Sequence, residues 1–364
     1  MKKISIGIVG LGTIAQTYHI PILSSFKDVR IEAVADTDAR RREMVARKWN
    51  ITKVYKSDIE MYENSNLDAV FACVPNFFHH SVVKNALKYH VHVFCEKPFG
   101  LSSDRAYEIA RMAEQKSILT VGYNRRLEPN CQKAACITQS MRLGRIVQVQ
   151  GTFLLRGPYI GYKPKSDWFF EERSGGALYD VGSHLFDVMI YVLSDKIAEV
   201  SARSLNVLNL RTTDNIAGLF RTEGGSLGTF IIGWQAVRDY ANPFIHIHGT
   251  GGSLSFDSNW FEEIHASYGP VEKVVAHLKC AGRTISTYAR DYRRKIDETY
   301  VVEDRAFVDS VRGKGRPFVL IDEAVHVLEV LEAIRDSVLK EKSCIVKHHS
   351  SSCSRNLLAM TENG

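Results

Sequence analysis

Short apolar runs alternate with amphipathic stretches through the first third of the chain. Residues 4–9 read as a buried strand and 13–25 as a helix. A second strand follows at 31–35, then a charged helix at 39–48. A third strand at 69–74 is stopped by Pro75. Next come a helix at 81–89, a fourth strand at 91–95, a helix at 103–115 and a fifth short strand at 119–121. Strand–helix alternation at this pace means parallel βαβ units wound on both faces of one sheet. The crossovers are expected to be right-handed.

The pattern changes after Gly122. Residues 129–141 read as a helix. Alternating or near-alternating runs follow at 147–155, 198–207, 216–221, 226–234 and 244–248. Glycine turns separate several of them, at Glu223-Gly224-Gly225 and Thr250-Gly251-Gly252. This predicts an open, mostly antiparallel sheet. One helix interrupts it at 177–193, and a strongly amphipathic helix closes the chain at 322–339. The segment 344–364, with Ser350–Ser352, reads as a flexible tail.

A length of 364 residues is too great for one ordinary core, so two domains are expected. Hydrophobic residues make up 45% and charged residues 24%, the balance of a soluble globular protein. No apolar run approaches the roughly 18 residues of a membrane helix, and no membrane association is expected. The start, Met1-Lys2-Lys3 before an apolar stretch, imitates a secretory leader. It has no small-residue cleavage site, and cleavage would remove the glycine turn described next, so a cytoplasmic address is favoured. The seven cysteines are odd in number, scattered and without a Cys-x-x-Cys pair, which points to free thiols in a reducing compartment. The net charge of +6 is modest, with Arg40-Arg41-Arg42 and Arg293-Arg294-Lys295 the densest clusters. Nucleic acid is not expected as a partner, since an anionic small ligand explains this excess equally well.

Gly10-Leu11-Gly12-Thr13-Ile14-Ala15 fits G-x-G-x-x-A between a strand and a helix, the context that gives this motif its meaning. Gly10 allows the tight turn and Gly12 lets backbone approach a pyrophosphate. Thr13 and Ile14 open the helix, whose free N–H groups favour phosphate, and Ala15 permits close helix–strand packing. The front domain, 1–123, is therefore expected to be an α/β Rossmann unit, a doubly wound parallel sheet. An α+β domain with the open, mostly antiparallel sheet is expected at 124–343. Asp36, ending the second strand, can accept hydrogen bonds from ribose hydroxyls and repel a 2′-phosphate, which favours NAD over NADP. Arg41 and its neighbours either lean toward the adenine or a 2′-phosphate, or form a solvated helix face. Pro75 and Asn76 end the third strand, where ligand sits in such folds, unless they are an ordinary turn. His79 lies at a strand-to-helix junction, open to the cleft or to solvent.

Glu96-Lys97-Pro98 is more specific. With GLGTIA, VADTD, VPNFFHHSVVKNALKYHVHVFCEKPFG, GYNRR, SGGALYDVGSHLFD, HGTGGSLSFD and the closing AFVDSVRGKGRPFVLIDEAVHVLEVLEAIRDS, the chain resembles the Gfo/Idh/MocA family of dinucleotide-dependent oxidoreductases from residue 4 to about 341. The resemblance implies a sheet domain that builds a homodimer or homotetramer, and sugars, inositols or related carbonyl compounds as substrates. It also implies a working set carried here by Lys97, Asp180 and His184.

Elementary chemistry agrees with that set. Oxidising a secondary alcohol needs a base for the hydroxyl proton, and the cofactor takes the hydride. Lys97 follows a strand end, where its ammonium can polarise the substrate oxygen. Asp180 and His184 are i and i+4 on one helix, a shared face that Asp187 and Tyr191 continue. His184 suits the proton carrier and Asp180 an orienter of substrate or imidazole, although the sequence leaves open whether His184 or Lys97 takes the proton. Arg156, Tyr159 and Trp168 lie in a loop suited to a hydroxylated ring. Glu96, His79 and Arg125 are further candidates beside the cofactor, and Arg125 and Arg126 can instead be structural ion-pair partners. His246 and His248 share a strand face but lack a third ligand nearby in sequence, and His348-His349 carries no site logic, so no metal is expected. Two other functions stay open on this scaffold: a redox-neutral glycosidase or eliminase that uses NAD, and a cofactor-binding regulator without catalysis.

Overall fold

The computed structural model describes residues 2–113, 117–155, 167–208, 210–234, 243–265 and 290–349. These described residues form two compact units, the first drawn from 2–122, 304–329 and 347–349 and the second from 123–303 and 330–346. The chain thus returns to the first unit after residue 303, whereas one uninterrupted segment at 124–343 is the simplest partition of the sequence.

The first unit is built on six parallel strands: β1 (Ile4–Val9), β2 (Val29–Ala35), β3 (Lys53–Tyr55), β4 (Ala69–Ala72), β5 (His92–Glu96) and β6 (Leu119–Gly122). Their order is β3-β2-β1-β4-β5-β6, the doubly wound arrangement whose direction reverses beside β1. Most positions of β1, β4, β5 and β6 are buried, as expected of parallel strands covered on both faces. Phe71, Phe94 and Phe307 meet at ring-centroid distances of 4.7 to 5.7 Å in the core. The helix after β1 opens with a π turn, Ala15–His19, before α1 (Ile20–Ser25). Pro21 cannot donate to the turn before it, and a widened turn is one way a helix absorbs that loss.

Among the described residues, the second unit carries an eight-stranded sheet in the order β13 (Phe261–His265), β12 (Gly252–Phe256), β11 (Phe244–Gly249), β7, β10, β9, β8, β14. Only β7 (Ile146–Leu154) and β10 (Leu227–Gly233) pair in parallel; the other pairs are antiparallel. Burial alternates along β9 (Asn215–Thr222) and β10, so one face is packed and the other carries exposed Leu219, Leu227 and Ile231.

The segment after Cys344 is not loose throughout. Cys344–Ile345 is strand β14 on β8 (Ile197–Ser204), Val346 is buried and donates to the Ala198 carbonyl at 2.9 Å, and the His349 N–H donates to Glu329 Oε1 at 2.7 Å. Backbone pairing and one buried valine fix what composition alone presents as a polar tail. Residues 350–364 lie outside the described residues. Among the described residues, no helix is long and apolar enough to cross a membrane.

Candidate active site

In the first unit the expected cofactor residues gather at the carboxyl ends of the strands. Gly10 has φ +89°, and a Cβ there would stand 2.5 Å from the Cys73 carbonyl oxygen, so only glycine fits. A Cβ on Gly12 would meet nothing within 4 Å, which leaves the backbone open to an approaching ligand. Thr13 and Ile14 begin the helix. Asp36 is buried at the end of β2 and accepts from the Leu11 N–H at 2.7 Å and the Asp38 N–H at 2.8 Å. Each carboxylate oxygen keeps a second lone pair, so Asp36 still has acceptor capacity. Arg41 stands beside it, Nη1 3.8 Å from Oδ2, with its side chain almost half exposed. Asn76 opens the helix Asn76–Lys88 directly behind Pro75.

His79, read from sequence as a cofactor contact, is placed otherwise. It is buried, with Nδ1 2.7 Å from the Pro98 carbonyl and Nε2 2.8 Å from that of Val74. Burial pushes its pKa below the ordinary value, against the upward pull of the two carbonyls. Its work is to tie the strand end at Val74 to the Lys97-Pro98 loop. The signal missed in sequence is a long-range pairing with backbone, which residue type does not reveal.

Glu96 and Lys97 end β5. Glu96 Oε2 accepts from the Lys97 N–H at 3.1 Å, and Oε1 lies 3.0 Å from His19 Nε2. His19, in the π turn, is fully buried, and its Nδ1 lies 2.9 Å from Asp304 Oδ1. Burial opposes a charged ring here, but Asp304 and then Glu96 outweigh it and raise the His19 pKa to about 10. An imidazolium between two buried carboxylates therefore holds Glu96, and Glu96 holds the backbone of Lys97. No sequence motif marks His19 as part of this arrangement.

Asp180 and His184 belong to the second unit. A π turn, Leu178–Gly182, runs into the helix Ser183–Leu193 and carries Asp180; His184 follows in the first α turn. Trp234, almost wholly buried, donates Nε1–H to Asp180 Oδ2 at 3.2 Å. The His184 ring lies against Tyr123 and Phe153, each at a centroid distance of 6.3 Å. Arg125 also lies over Phe153, 5.4 Å from its centroid, and pairs with Glu128 at 2.8 Å. Asp187 does not continue the polar stripe toward a cleft. It is fully buried and takes Arg126 in a forked ion pair, with distances of 2.7 to 2.9 Å. Arg126 is thus a structural ion-pair partner. Trp168 stacks on Phe169 at 3.9 Å. Arg156 and Tyr159 lie outside the described residues.

Comparison with known proteins decides the family. Residues 4–123 match the model of an oxidoreductase family with an NAD-binding Rossmann fold, and residues 131–255 match the GFO/IDH/MocA C-terminal domain. The chain belongs to the Gfo/Idh/MocA family. It is 26% identical over 346 residues to the myo-inositol 2-dehydrogenase of Thermotoga maritima, covering 93% of this chain and 97% of that one. It is 28% identical over 264 residues to the uncharacterized oxidoreductase YrbE of Bacillus subtilis, covering 71% and 75%. The crystal structure of the WlbA dehydrogenase from Bordetella pertussis with NADH and UDP-GlcNAcA superposes with a TM-score of 0.81 at 19% identity, over 96% of this chain and 99% of that one. At that identity the likeness establishes the fold alone. The first unit is an NAD-binding Rossmann domain, and the open backbone at Gly12 and the acceptor capacity of Asp36 fit such a ligand.

Proposed function

We propose that this family member is an NAD-dependent dehydrogenase that oxidises a secondary hydroxyl of a sugar, sugar derivative or inositol. The observation that carries the proposal is the way each unit fixes its own candidate residues. Lys97 is held at the end of β5 by Glu96, and Asp180 is oriented by Trp234 one helical turn before His184. Gly10, Gly12, Thr13, Ile14, Asp36, Arg41, Pro75, Asn76 and Glu96 are assigned to the cofactor, with Asp36 favouring an unphosphorylated ribose. NAD⁺, when bound, accepts the hydride. His184 takes the hydroxyl proton, since an imidazole titrates close to neutral pH. The Lys97 ammonium steadies the oxygen as negative charge builds on it. Asp180, its carboxylate fixed by the indole N–H, orients the substrate hydroxyl or the imidazole. Arg125, Trp168, Arg156 and Tyr159 are assigned to the surroundings of cofactor and substrate. The exposed Leu219, Leu227 and Ile231 on the second sheet support self-association through that face.

The test is NADH absorbance with purified protein, NAD⁺ and a panel of inositols, sugars, sugar phosphates and UDP-sugars, repeated with Lys97→Ala and His184→Ala. Turnover that falls at least about 100-fold in both variants is expected. Silence across the panel with NAD⁺ binding intact would overturn the dehydrogenase in favour of a redox-neutral enzyme or a regulator.

A further inference from the structure

Far along the chain from these residues, the first unit gathers three histidines around one buried carboxylate. His326 and Glu329 are one turn apart on the closing helix, Ile321–Lys340, so they share a face. His326 Nδ1 lies 2.8 Å from Glu329 Oε2. His348 comes from the segment after β14, its Nδ1 3.7 Å from the same oxygen. One ligand atom from each of the three lies within 4.8 Å of the others. His349 occupies the opposite oxygen, Glu329 Oε1, through its N–H at 2.7 Å and Nδ1 at 2.8 Å. The far nitrogen of His349 meets Asp104 Oδ1 at 3.0 Å, and its ring stacks on Tyr107 at 4.7 Å.

We propose that His326, Glu329 and His348 form a binding site for one divalent transition-metal ion of the zinc class, which clasps the chain after β14 onto the closing helix. Two imidazoles and one carboxylate are a zinc-type donor set, whereas calcium and magnesium prefer oxygen alone. Zinc bonds of about 2.0–2.2 Å place tetrahedral ligand atoms about 3.4 Å apart. The separations of 2.8 and 3.7 Å bracket that spacing, and the two imidazoles lie within 4.8 Å of each other, so side-chain adjustments on the order of 1 Å close the site around an ion. Glu329 Oε2 serves as the carboxylate ligand, because Oε1 is already taken. His349, backed by Asp104, fixes the carboxylate from behind, as outer-shell partners of metal ligands do.

Charge points the same way. Glu329 is 4% exposed. Burial alone would push its carboxyl up, but hydrogen bonds from His326 and His349 outweigh this, and it stays below the ordinary value as an anion. Among the described residues its ionic partners are all imidazoles, with no lysine or arginine. A divalent cation compensates the carboxylate and takes imidazole nitrogens as neutral ligands. His348 is partly exposed, so the ion can enter and leave.

The experiment uses tag-free, chelator-stripped, full-length protein titrated with Zn²⁺ alone against a chromophoric zinc indicator. One equivalent is expected at micromolar affinity or tighter, accompanied by a rise in melting temperature that a chelator reverses. His348→Gln changes a partly exposed side chain and His326→Gln a buried one; each should weaken that equivalent at least tenfold. The pair His246 and His248, whose Nε2 atoms are 2.7 Å apart, is the competing imidazole site, and replacing both with Gln should leave the equivalent intact. Zinc binding retained at full strength in His348→Gln, as capture by cysteines would give, overturns the proposal, as does the absence of a saturable equivalent in the wild type. Neither readout depends on turnover, so the clasp and the dehydrogenase stand or fall separately.

Discussion

Two buried ionic clusters, one taken from each unit, are made from different cations. In the first, His19 stands between Glu96 and Asp304. In the second, Arg126 forks onto Asp187 and lies over the Tyr191 ring at 5.1 Å. Arg126 and His19 are both 0% exposed, so neither is assisted by solvent. A guanidinium keeps its charge at every accessible pH, whereas an imidazolium keeps it only while its neighbours hold the proton. The comparison teaches where pH enters the molecule: the anchor beneath Lys97 is titratable and the anchor of the helix bearing His184 is not.

The largest effect is expected where the cation is permanent. Asp187→Ala leaves an uncompensated buried guanidinium and should cost about 3–5 kcal/mol in urea unfolding. Removing both charges together, as Arg126→Met with Asp187→Leu, should recover most of that loss, because the cost lies in the orphaned charge and not in the absent pair. A single variant within about 1 kcal/mol of wild type would show that water reaches the pair.

His19→Gln should cost about 3 kcal/mol at pH 6, by leaving two buried carboxylates facing each other. The penalty must depend on pH. The folded value of about 10 exceeds the ordinary 6.5, so folded protein holds this proton more tightly than unfolded protein. The stabilisation is complete below pH 6.5 and drains as pH rises toward 10, at up to about 1.4 kcal/mol per pH unit. Urea midpoints of wild type and His19→Gln should therefore converge between pH 6 and pH 9, while the gap between wild type and Asp187→Ala stays constant. A gap for His19→Gln that does not narrow would mean that the ring is neutral in the folded state.

The same contrast explains what was legible in the sequence. Gly10 was readable because its conformation admits one residue type, and that requirement is written at the position itself. The parallel, doubly wound class of the first sheet followed from strand–helix alternation, whereas its strand order did not. His19, Trp234 and Asp187 were not readable in their roles, because each acts through a partner 54 or more residues away. Strand β3 is three residues long and only half-buried, too short to show a period. The helix Arg290–Val311 escaped for another reason: Thr299, Glu303 and Asp304 are buried along with Phe307 and Val308, so polar residues interrupt the apolar stripe of its described part. The clasp histidines were passed over because sequence distance hid that 348 and 349 return to 326 and 329.

The smallest effect belongs to an exposed pair and sharpens the comparison from the other side. Arg41 lies 3.8 Å from Asp36 and is 44% exposed in its side chain, so Arg41→Ala should change stability by about 0.5 kcal/mol or less. Its consequence should fall on cofactor choice instead. Under the proposed function Asp36 repels a 2′-phosphate, and Arg41 offsets part of that repulsion at the same spot. Removing the guanidinium should weaken NADP⁺ binding several-fold while changing NAD⁺ binding little, as read by titrating each nucleotide against intrinsic fluorescence. Equal weakening of both would place Arg41 on the shared part of the nucleotide. Tighter NADP⁺ binding in the variant would contradict its role as a counter-charge, leaving Asp36 to set the preference unaided. Either way the stability readout should stay flat, because a charge pair in contact with water has little folding energy to lose.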